Sequence, residues 1–448
     1  MNILECTNKF HAMEMSKGLF ERRTTDGIYF WDIVRYDVFY FIFRDNLNDK
    51  PKPNKVIPNK SNRSKITEGL KNLVGDFKYL HKNTGKKYLF LKCSRNLIND
   101  KETDIISTDY LKLIGEDCFV IEIYGNSTDK NSFLNSVLRY KKKINKIFKK
   151  KVENYDIDKV INNTFELDLR LDDFIASRVE NFRIERSYYR KLLKKLKPKA
   201  AFFVQDSSQK ALVYCCRELG KPSIELQHGI INNCHQGYSY PKAIEKYNEN
   251  EVVVPEVLFA FSDYWINNVN YPVREAIAMG NTYYSIPNCA TLKNDKEITF
   301  ISADIYEAKI EVYLDYLLEK KPDSKINLKL HPNQKSQIDQ INKKYNKYKN
   351  VKVYYNETNL HELFKTSKVV VLVTSTAAYE AIQFGCCVGI IRDDASFDIE
   401  DLFHHENVIV LDNPKDLFNK DKKEIINTVF FNEFSQENMK SFIKSIQG

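Results

Sequence analysis

Short apolar runs alternate with helix-like segments in the second half of the chain. Each run is rich in β-branched residues, which favour strands, and the runs cover residues 297–302, 326–332, 351–355, 368–373, 387–391 and 407–411. Strands separated by helical segments are typical of βαβ units, whose strands form a parallel sheet. The pattern therefore predicts a doubly wound sheet from about residue 296 onward.

The first half contains a second pattern of this kind. Residues 200–206 form an apolar run, and Ser207 is suited to cap a following helix. Gly220 suits the position just after that helix, and 223–227 reads as the next strand. This stretch predicts one βαβ unit.

Other segments of the first half are predicted from their composition. Strands are expected at 86–94 and within 104–124, and the lysine-, glutamate- and leucine-rich stretch 128–196 predicts mostly helix. The aromatic cluster at 27–43 predicts a buried helix or a strand-helix unit. Residues 49–66, rich in Pro, Asn and Lys, predict a loop.

Two charges, Arg35 and Asp37, interrupt the aromatic cluster. A charge in apolar surroundings needs a partner, because an unpaired buried charge is costly. Both residues are predicted to belong to satisfied internal pairs, with contact to a substrate as the alternative.

A chain of 448 residues is too long for one ordinary hydrophobic core. Its two sheet units, joined across residues 255–295, predict an α/β fold with two Rossmann-like domains that face one another over a cleft. The predicted N-terminal domain, 1–290, carries a helical insertion, and the predicted C-terminal domain is 291–425. A final helix in 426–448 is expected to pack back on the first domain.

Cysteine usage and hydropathy narrow the class of protein. The nine cysteines show no paired metal-ligand spacing, and the adjacent pairs Cys215-Cys216 and Cys386-Cys387 are unsuited to chelate or bridge each other. They are predicted to be reduced core thiols in a cytosolic protein. No apolar signal-peptide region begins the chain, and no run reaches the roughly 18 apolar residues of a membrane span, so neither secretion nor membrane insertion is expected.

The net charge of +9 is concentrated in two lysine-rich segments, 139–151 and 186–199, with apolar residues at helical spacing. Three interpretations are open: a solvated helix face, attraction to an anionic membrane surface, and nucleic-acid binding. The last is the weakest, because no helix-turn-helix, zinc-finger or RNP-type motif accompanies the charge. The predicted location is the cytoplasm, with peripheral binding to the inner face of the membrane left open, and nucleic acid is not a predicted partner.

Two histidines, His228 and His235, follow the predicted strand that ends near residue 226. A strand that ends in Gln227-His228-Gly229 puts a base of near-neutral pKa at the carboxyl edge of a sheet, where open α/β sheets bind substrates. The glycine lets a ligand approach the backbone. Asp206, which follows the preceding strand, is expected at the same edge. The alternative is a loop with two surface histidines.

A second set of candidate residues follows strands of the second sheet unit. His331 and Pro332 come at the end of a strand, and the proline stops that strand. Thr374, Ser375 and Thr376 form a turn before a helix, where small hydroxyls and unpaired backbone N–H groups suit a phosphate. These residues predict a phosphate site at the second sheet.

Glu380 lies one turn into that helix, where its carboxylate could bind a ribose diol. Each residue also has a simpler explanation: Ser375 as a helix cap, Glu380 as an acid that complements the helix dipole, and His331 as a polar strand end. Their succession in this order favours a nucleotide site over capping alone.

The motifs LQHG, KLHP and TSTAAYEAIQFG together resemble the GT-B-fold transferases of bacterial surface polysaccharides. This group includes capsular Kdo transferases, polysialyltransferases and the glycerophosphotransferases of teichoic-acid synthesis. The resemblance implies that His331, Pro332, Ser375 and Thr376 bind the phosphate of the donor nucleotide. It also matches His228-Gly229 to the His-Gly element of the glycerophosphotransferases.

The resemblance covers about 296–412 together with 200–238, and the first 200 residues contribute nothing to it. The chain departs from the sialyl- and polysialyltransferase pattern, which has an acidic pair before glycine where this chain has Gln227-His228. The Glu-x7-Glu spacing of many retaining GT-B enzymes is not evident in these motifs either.

The resulting hypothesis is an inverting, metal-independent glycosyltransferase with an acceptor-binding first domain and a nucleotide-sugar-binding second domain. The pairs Asp172-Asp173 and Asp393-Asp394 are adjacent aspartates and do not form an Asp-x-Asp metal motif. His228 is the first candidate for the base and Asp206 the second, with Gln227, Gly229 and His235 as further donor or acceptor contacts. No cofactor is expected beyond a nucleotide-sugar donor, with CMP- and UDP-linked sugars as candidates. The acceptor is expected to be lipid-linked or an oligosaccharide.

Three alternatives stay open. A nucleotide-sugar epimerase or hydrolase would use the same two-domain cleft and would turn over without an acceptor. A polyol-phosphate transferase of the teichoic-acid type would share the motifs. A non-catalytic scaffold for anionic polymers would have no need of His331 and Ser375.

Overall fold

The computed structural model describes residues 1–43, 62–93, 96–98, 101–124, 133–147, 155–285, 293–302, 307–355, 358–418 and 428–447. The helices in these ranges are α1 (Ile3–Ser16), α2 (Trp31–Ile42), α3 (Asn62–Lys82), α4 (Thr108–Ile114), α5 (Ser136–Ile147), α6 (Ile157–Phe165), α7 (Asp172–Leu196), α8 (Lys210–Glu218), α9 (Asp263–Asn267), α10 (Glu307–Lys320), α11 (Ile338–Tyr345), α12 (Leu360–Thr366), α13 (Ala377–Gln383) and α14 (Gln436–Ser445). The strands are β1 (Tyr88–Cys93), β2 (Asn96–Ile98), β3 (Lys101–Thr103), β4 (Cys118–Tyr124), β5 (Ala200–Val204), β6 (Ser223–Leu226), β7 (Val257–Ala260), β8 (Glu275–Ala278), β9 (Asn294–Ile301), β10 (Lys325–Lys329), β11 (Val351–Tyr354), β12 (Ser367–Leu372), β13 (Cys387–Ile391) and β14 (Val408–Leu411).

The first six-stranded sheet is parallel and has the order β4-β1-β5-β6-β7-β8. Side chains of β1 alternate between its two faces, as the two-residue period of a strand requires. Leu89 and Leu91 join the core that contains residues of α2, α7 and α8, whereas Tyr88 and Phe90 join the core on the other side. Both faces are therefore covered, which is how parallel sheets are stabilised.

The second six-stranded sheet is also parallel, in the order β11-β10-β9-β12-β13-β14. Numbered from its own first strand, this is the order 3-2-1-4-5-6 of a Rossmann fold. All six strands predicted in this half are present with small shifts at their ends. The prediction of an α/β fold with two Rossmann-like domains is confirmed.

Two predictions for the first domain are wrong in part. Residues 62–66 begin helix α3, so the predicted loop 49–66 does not extend that far, and residues 44–61 lie outside the described ranges. Within 104–124, helix α4 precedes the strand β4. The predicted strand ends at Tyr124, and Gly125 lies outside the described ranges.

Two further corrections concern the βαβ unit and the segment after it. Ser207 belongs to a 3-10 turn, Asp206–Ser208, and no side chain caps α8. Gly220 follows α8 with a φ of 59°, as predicted for the residue after a helix. Within the predicted connection 255–295, β7 and β8 belong to the first sheet. β8 was missed because its sequence, EAIA, has low β propensity.

The last helix, α14, lies against the first sheet although the chain reaches it from the second. The ring of Phe442 is 4.9 Å from that of Phe259 on β7. The side-chain amide of Gln447 donates to the hydroxyl of Tyr88 at 2.6 Å. Just before the helix, the Ser435 N–H donates to the carbonyl of Met279 at 2.8 Å.

The two lysine-rich segments fall on α5 and α7. On α7, Leu192, Leu193 and Leu196 are buried, and Lys194 and Lys195 face solvent. The apolar residues of this segment therefore belong to the protein core, and its lysines form a solvated face. On α5, Ile144 is exposed, and residues 148–154 lie outside the described ranges.

Among the described residues, no helix has the length and apolar character needed to cross a membrane.

The aromatic cluster forms helix α2, and its charges have partners elsewhere. The Arg35 guanidinium is 1% exposed and donates to the Glu14 carboxylate at 2.7 and 3.1 Å. It also donates to the carbonyls of Gln236, at 2.6 Å, and Ser239, at 3.1 Å. Arg35 therefore ties α1 and α2 to the loop that follows β6, and the prediction of a satisfied internal pair is confirmed.

Asp37, two residues after the buried arginine and therefore on a different side of α2, pairs with Arg178 of α7 at 3.0 Å. Desolvation raises the pKa of Asp37, and the Arg178 charge opposes that shift. The two charges of the cluster thus belong to different pairs.

Glu14→Ala should destabilise the first domain strongly. The substitution leaves the buried Arg35 without its carboxylate, and breaking one side of a buried ion pair costs about 3–5 kcal/mol. Urea unfolding should report this loss in the free energy of unfolding. The matched control is Asp26→Ala, which removes the partner of Arg183 from a pair in which Asp26 is 52% exposed. That loss should be about 0–1 kcal/mol, and equal losses in the two variants would contradict the account.

Candidate active site

Loops that follow strands of the first sheet contact segments that follow strands of the second. Asn232, after β6, donates to the carbonyl of Asp398, after β13, at 2.6 Å. The hydroxyl of Tyr264, after β7, donates to Asp401 at 2.5 Å. Tyr283, after β8, packs its ring 5.2 Å from that of His361 in α12. The carboxyl edges of the two sheets therefore face one another.

The domains are also joined by an apolar contact and a shared carboxylate. The buried Trp265 ring of the first domain lies 4.8 Å from the ring of Tyr379 on α13. The Tyr379 hydroxyl donates to the same Asp401 carboxylate, at 2.9 Å, that accepts from Tyr264. Asn232 adds a third donor at 3.3 Å. Asp401 thus collects donors from both domains.

His228 lies two residues beyond the end of β6 and is part-buried. Before it, the Gln227 side chain fixes the turn: its amide donates to the Gly229 carbonyl at 2.8 Å, and its oxygen accepts from the Phe261 N–H at 2.7 Å. A Cβ built on Gly229 would meet no atom within 4 Å other than those of its two chain neighbours. The backbone is therefore open at this glycine, as the predicted approach of a ligand requires.

A buried carboxylate that sequence reasoning missed lies behind His228. Glu225, in the middle of β6, is 0% exposed and accepts from the hydroxyls of Tyr238 and Tyr271, both at 2.8 Å. The Tyr238 hydroxyl is also 3.1 Å from Nδ1 of His228. Burial, and then the nearby Asp206 charge, raise the pKa of Glu225 to about 7, and hydrogen bonds to its carboxylate oppose the shift.

Asp206 follows β5 and reaches the same edge as His228, as predicted, but its carboxylate is buried. The Lys210 ammonium contacts it at 2.6 Å and also contacts Asp32 at 2.9 Å. Lys210 also donates to the Tyr240 hydroxyl at 3.2 Å and to the carbonyl of Val253 at 2.6 Å. Desolvation raises the pKa of Asp206 to about 6, and the Lys210 charge opposes that shift.

The second predicted histidine of this loop, His235, is surrounded by aromatic rings. Its ring lies 5.0 Å from that of Tyr238 and 5.8 Å from that of Tyr36. Its Nδ1 accepts from the Gly237 N–H at 3.2 Å. His235 therefore shapes the turn that carries Tyr238. Its contact with the sugar donor or with the acceptor substrate stays a prediction.

The predicted phosphate-binding turn lies where the strand order of the second sheet reverses. β9 and β12 are neighbours, but the chain leaves β9 toward β10 and leaves β12 toward β13, on opposite sides. Open α/β sheets bind ligands at the carboxyl ends of strands at such a switch point. Thr374, Ser375 and Thr376 begin two residues after the end of β12, and all three are part-buried. Ser375 Oγ accepts from the Ala377 N–H at 3.2 Å.

The other predicted donor-site residues follow β10 or lie on α13. His331 and Pro332 are exposed just after β10, and the His331 N–H donates to the side chain of Gln334 at 2.9 Å. Glu380 is 7% exposed, and its Oε2 is 2.8 Å from Nε2 of His361. His361 was not predicted from the sequence. Whether these residues bind a nucleotide stays a prediction.

Some of the missed residues left a signal in the sequence. Glu225 is an acid inside the otherwise apolar run of β6, and Lys210 lies four residues after Asp206, the spacing of one helical turn. Tyr238 left none, because the chain has 27 tyrosines and its contact with His228 depends on tertiary structure. Within the described ranges, no group of three or more His, Cys, Asp and Glu side chains is placed to hold a metal ion.

Residues 274–432 match the family model of capsule polysaccharide biosynthesis proteins. This range runs from β8 through the whole second sheet and includes Thr374 to Thr376 and Glu380. The resemblance to surface-polysaccharide enzymes that the motifs implied is therefore confirmed for this part of the chain. No curated protein matches the sequence.

Several solved structures are similar in fold at low identity. The Staphylococcus aureus MnaA structure with UDP is 12% identical, with a TM-score of 0.46 over 81% of this chain and 97% of that one. The Neisseria meningitidis UDP-GlcNAc 2-epimerase bound to UDP-GlcNAc is 13% identical, with a TM-score of 0.45 over 80% and 99%. The Acinetobacter baumannii MurG is 11% identical, with a TM-score of 0.39 over 70% and 82%. The two Rossmann-like domains are defined by the strand order of this chain itself.

Asp401→Ala should weaken the contact between the domains. It leaves the donors of Tyr264, Tyr379 and Asn232 without this acceptor, and a buried donor without a partner costs about 1–3 kcal/mol. Chemical denaturation should show a loss of at least that size. Asp412→Ala is the control, because Asp412 is 58% exposed in its pair with Arg392. A control variant as unstable as Asp401→Ala would contradict the role of Asp401.

Proposed function

We propose that this protein is an inverting, metal-independent glycosyltransferase that moves a sugar from a nucleotide-sugar donor to a growing capsule or lipopolysaccharide glycan. One observation carries the proposal. The His228 loop and the turn of Thr374, Ser375 and Thr376 lie on sheet edges that face one another. A base on one side and phosphate-binding groups on the other suit transfer between a donor and an acceptor. The match of residues 274–432 supports the same reading.

The second domain would hold the donor. His331, Pro332 and the hydroxyls of Ser375 and Thr376 would bind the nucleotide phosphate and stabilise the charge that develops as the nucleotide leaves. Glu380, held by His361 at 2.8 Å, would accept hydrogen bonds from the ribose diol. This set requires no cofactor beyond the donor itself.

In the proposed reaction, an acceptor hydroxyl attacks the anomeric carbon of the donor sugar. The bond from that carbon to the phosphate oxygen breaks, and its electron pair stays on the nucleotide. The acceptor proton goes to His228 as the new glycosidic bond forms on the opposite face of the sugar. Inversion follows from this single displacement.

The surroundings of the two candidate bases favour His228 over Asp206. His228 is part-buried beside the open space at Gly229, whereas Asp206 is 1% exposed and held by Lys210 at 2.6 Å. A carboxylate in a tight ion pair must give up that partner before it can take a proton. Asp206 is accordingly the second candidate.

A cavity of 360 Å³ in the first domain is the proposed acceptor site. It opens near the carboxyl ends of β4 and β5, and its size suits a small-molecule site. Arg139, Lys142, Arg178, Glu185 and Ser207 contribute polar groups to its wall, which fits a hydroxyl-rich glycan. The lysine-rich α5 forms one side, so a lipid-linked acceptor at an anionic membrane surface would approach from there.

Nucleotide binding should stabilise the protein. In thermal-shift measurements with CMP, CDP, UDP and GDP, the cognate nucleotide at a hundred times its dissociation constant should add about 2.7 kcal/mol. His331→Ala should reduce the shift, because it removes a phosphate contact. The control His81→Ala, an exposed histidine of α3, should leave it unchanged. If none of the four nucleotides stabilised the protein, the result would contradict the proposal.

The two histidines should differ in the kinetic step that they affect. His228→Ala should reduce kcat by roughly 10²–10⁴-fold while nucleotide affinity stays near wild type, because a general base acts only during the reaction. His331→Ala should weaken donor binding as well as turnover, because it touches the phosphate in the ground state. Sugar transfer to an oligosaccharide acceptor, followed by mass spectrometry at varied donor concentration, measures kcat and the donor KM of each variant.

The wild-type activity should also survive EDTA, because the proposed phosphate site contains no metal.

The opposite pattern has a definite meaning. Near-normal kcat in His228→Ala, with an inactive Asp206→Asn enzyme that still binds nucleotide, would assign the base to Asp206. Turnover of the nucleotide sugar without any acceptor would indicate an epimerase or hydrolase.

A further inference from the structure

A chain of hydrogen bonds leads from His228 into the core of the first sheet. Nδ1 of His228 is 3.1 Å from the Tyr238 hydroxyl, and that hydroxyl donates to Glu225 Oε1 at 2.8 Å. Tyr238 is 2% exposed and Glu225 is 0% exposed. The link between Tyr238 and Glu225 is therefore shielded from water. Hydrogen bonds are electrostatically stronger in such low-dielectric surroundings than in water.

The other contacts of Glu225 fix its orientation without neutralising it. Oε1 also accepts from the backbone N–H of Asp206 at 2.9 Å, and Oε2 accepts from the Tyr271 hydroxyl at 2.8 Å. All three donors are neutral, and the buried cation Lys210 is engaged by Asp206 and Asp32. The negative charge of the ionised carboxylate is thus available to act through Tyr238.

We infer that Tyr238 and Glu225 are positioning residues for His228: Tyr238 relays the Glu225 carboxylate to Nδ1, which fixes the ring with its proton on Nδ1 and its lone pair on Nε2. This inference rests on the proposed function for its catalytic meaning, and its geometric part can be tested separately. It follows the logic by which a buried carboxylate orients a catalytic histidine, with a tyrosine hydroxyl placed between the two.

The single hydroxyl proton of Tyr238 decides the tautomer. When it is donated to the ionised Glu225, the tyrosine oxygen can only accept from His228, so the histidine must carry its proton on Nδ1. Nε2 then holds the lone pair needed by a base. After proton uptake the imidazolium keeps Nδ1–H directed at Tyr238, and the Glu225 charge stabilises it.

The groups that face Glu225 determine the pH range in which its carboxylate is charged and can act on His228 through Tyr238. They are Tyr238 and Tyr271 with their hydroxyls, Asp206 with its backbone N–H and its carboxylate, and His228 through Tyr238. With a pKa raised to about 7, Glu225 is ionised above that pH and loses its charge as the pH falls through it. The relay is therefore complete in mildly basic solution.

Selective ¹⁵N labelling of histidine tests the geometric part without any need for activity. The ring signals of His228 are assigned by their absence in His228→Ala. At pH 8 the wild-type protein should show a protonated Nδ1 and an unprotonated Nε2. Tyr238→Phe should shift the proton population toward Nε2, because the acceptor for Nδ1–H is gone. A wild-type ring protonated on Nε2, or an unchanged ring in Tyr238→Phe, would overturn the inference.

The kinetic part uses the same variant with full-length protein. Tyr238→Phe should lower kcat by about 10- to 100-fold, the usual cost of losing a group that orients a functional histidine, with the donor KM unchanged. Added to His228→Ala it should lower kcat no further, because both act through one group. Tyr313→Phe is the matched control: it removes a buried hydroxyl that donates to the Leu411 carbonyl at 3.0 Å in the second domain and should keep wild-type kcat.

Glu225→Gln provides a second test if Tyr238→Phe folds poorly. The amide removes the negative charge at nearly the same size, so the tautomer preference of His228 should weaken and kcat should fall as in Tyr238→Phe. Normal kcat in both variants, with a His228→Ala enzyme that is inactive, would overturn the relay and leave the proposed function intact. If the wild-type protein transfers no sugar from any donor, the proposed function fails, and the tautomer measurement alone decides the positioning.

Discussion

The burial of Arg35 is the constraint on which the candidate site depends. A guanidinium removed from water needs a partner for its charge and for its donors. Arg35 finds them in Glu14 of α1 and in the backbone carbonyls of Gln236 and Ser239, which flank Tyr238 in sequence. The loop after β6 is therefore clamped at the point from which Tyr238 reaches toward the active-site edge. The hydrogen bonds that satisfy the buried Arg35 charge thus also hold the uncharged Tyr238 side chain in place.

The two domains divide the chemistry between them. The first places a buried carboxylate and a tyrosine hydroxyl behind His228, and the second places small hydroxyls at the point where its strand order reverses. Asp401 and the Trp265 ring hold the two carboxyl edges together. This arrangement explains how the proposed base and the proposed phosphate site, more than a hundred residues apart in sequence, come to lie on facing edges.

Local patterns in the sequence predicted most of the fold. The second sheet was readable because its strands are rich in β-branched residues, whereas β8, with the sequence EAIA, was not. The turn at Ser375 and the strand end at His228 could also be predicted, because each follows an apolar run that is itself recognisable as a strand. Tyr238 could not be predicted, because its role comes from two partners that only tertiary structure brings to its hydroxyl. The buried Glu225 was visible as a charge in an apolar run, but its function was not.

The central claim is that the donor nucleotide binds the second domain, across from His228. A crystal structure with the nucleotide selected by thermal shift tests it most directly. The account predicts phosphate oxygens within hydrogen-bonding distance of Ser375, Thr376 and His331, the ribose at Glu380, and the sugar-bearing end directed toward His228. A nucleotide bound elsewhere, for example in the 360 Å³ cavity beside α5, would contradict it.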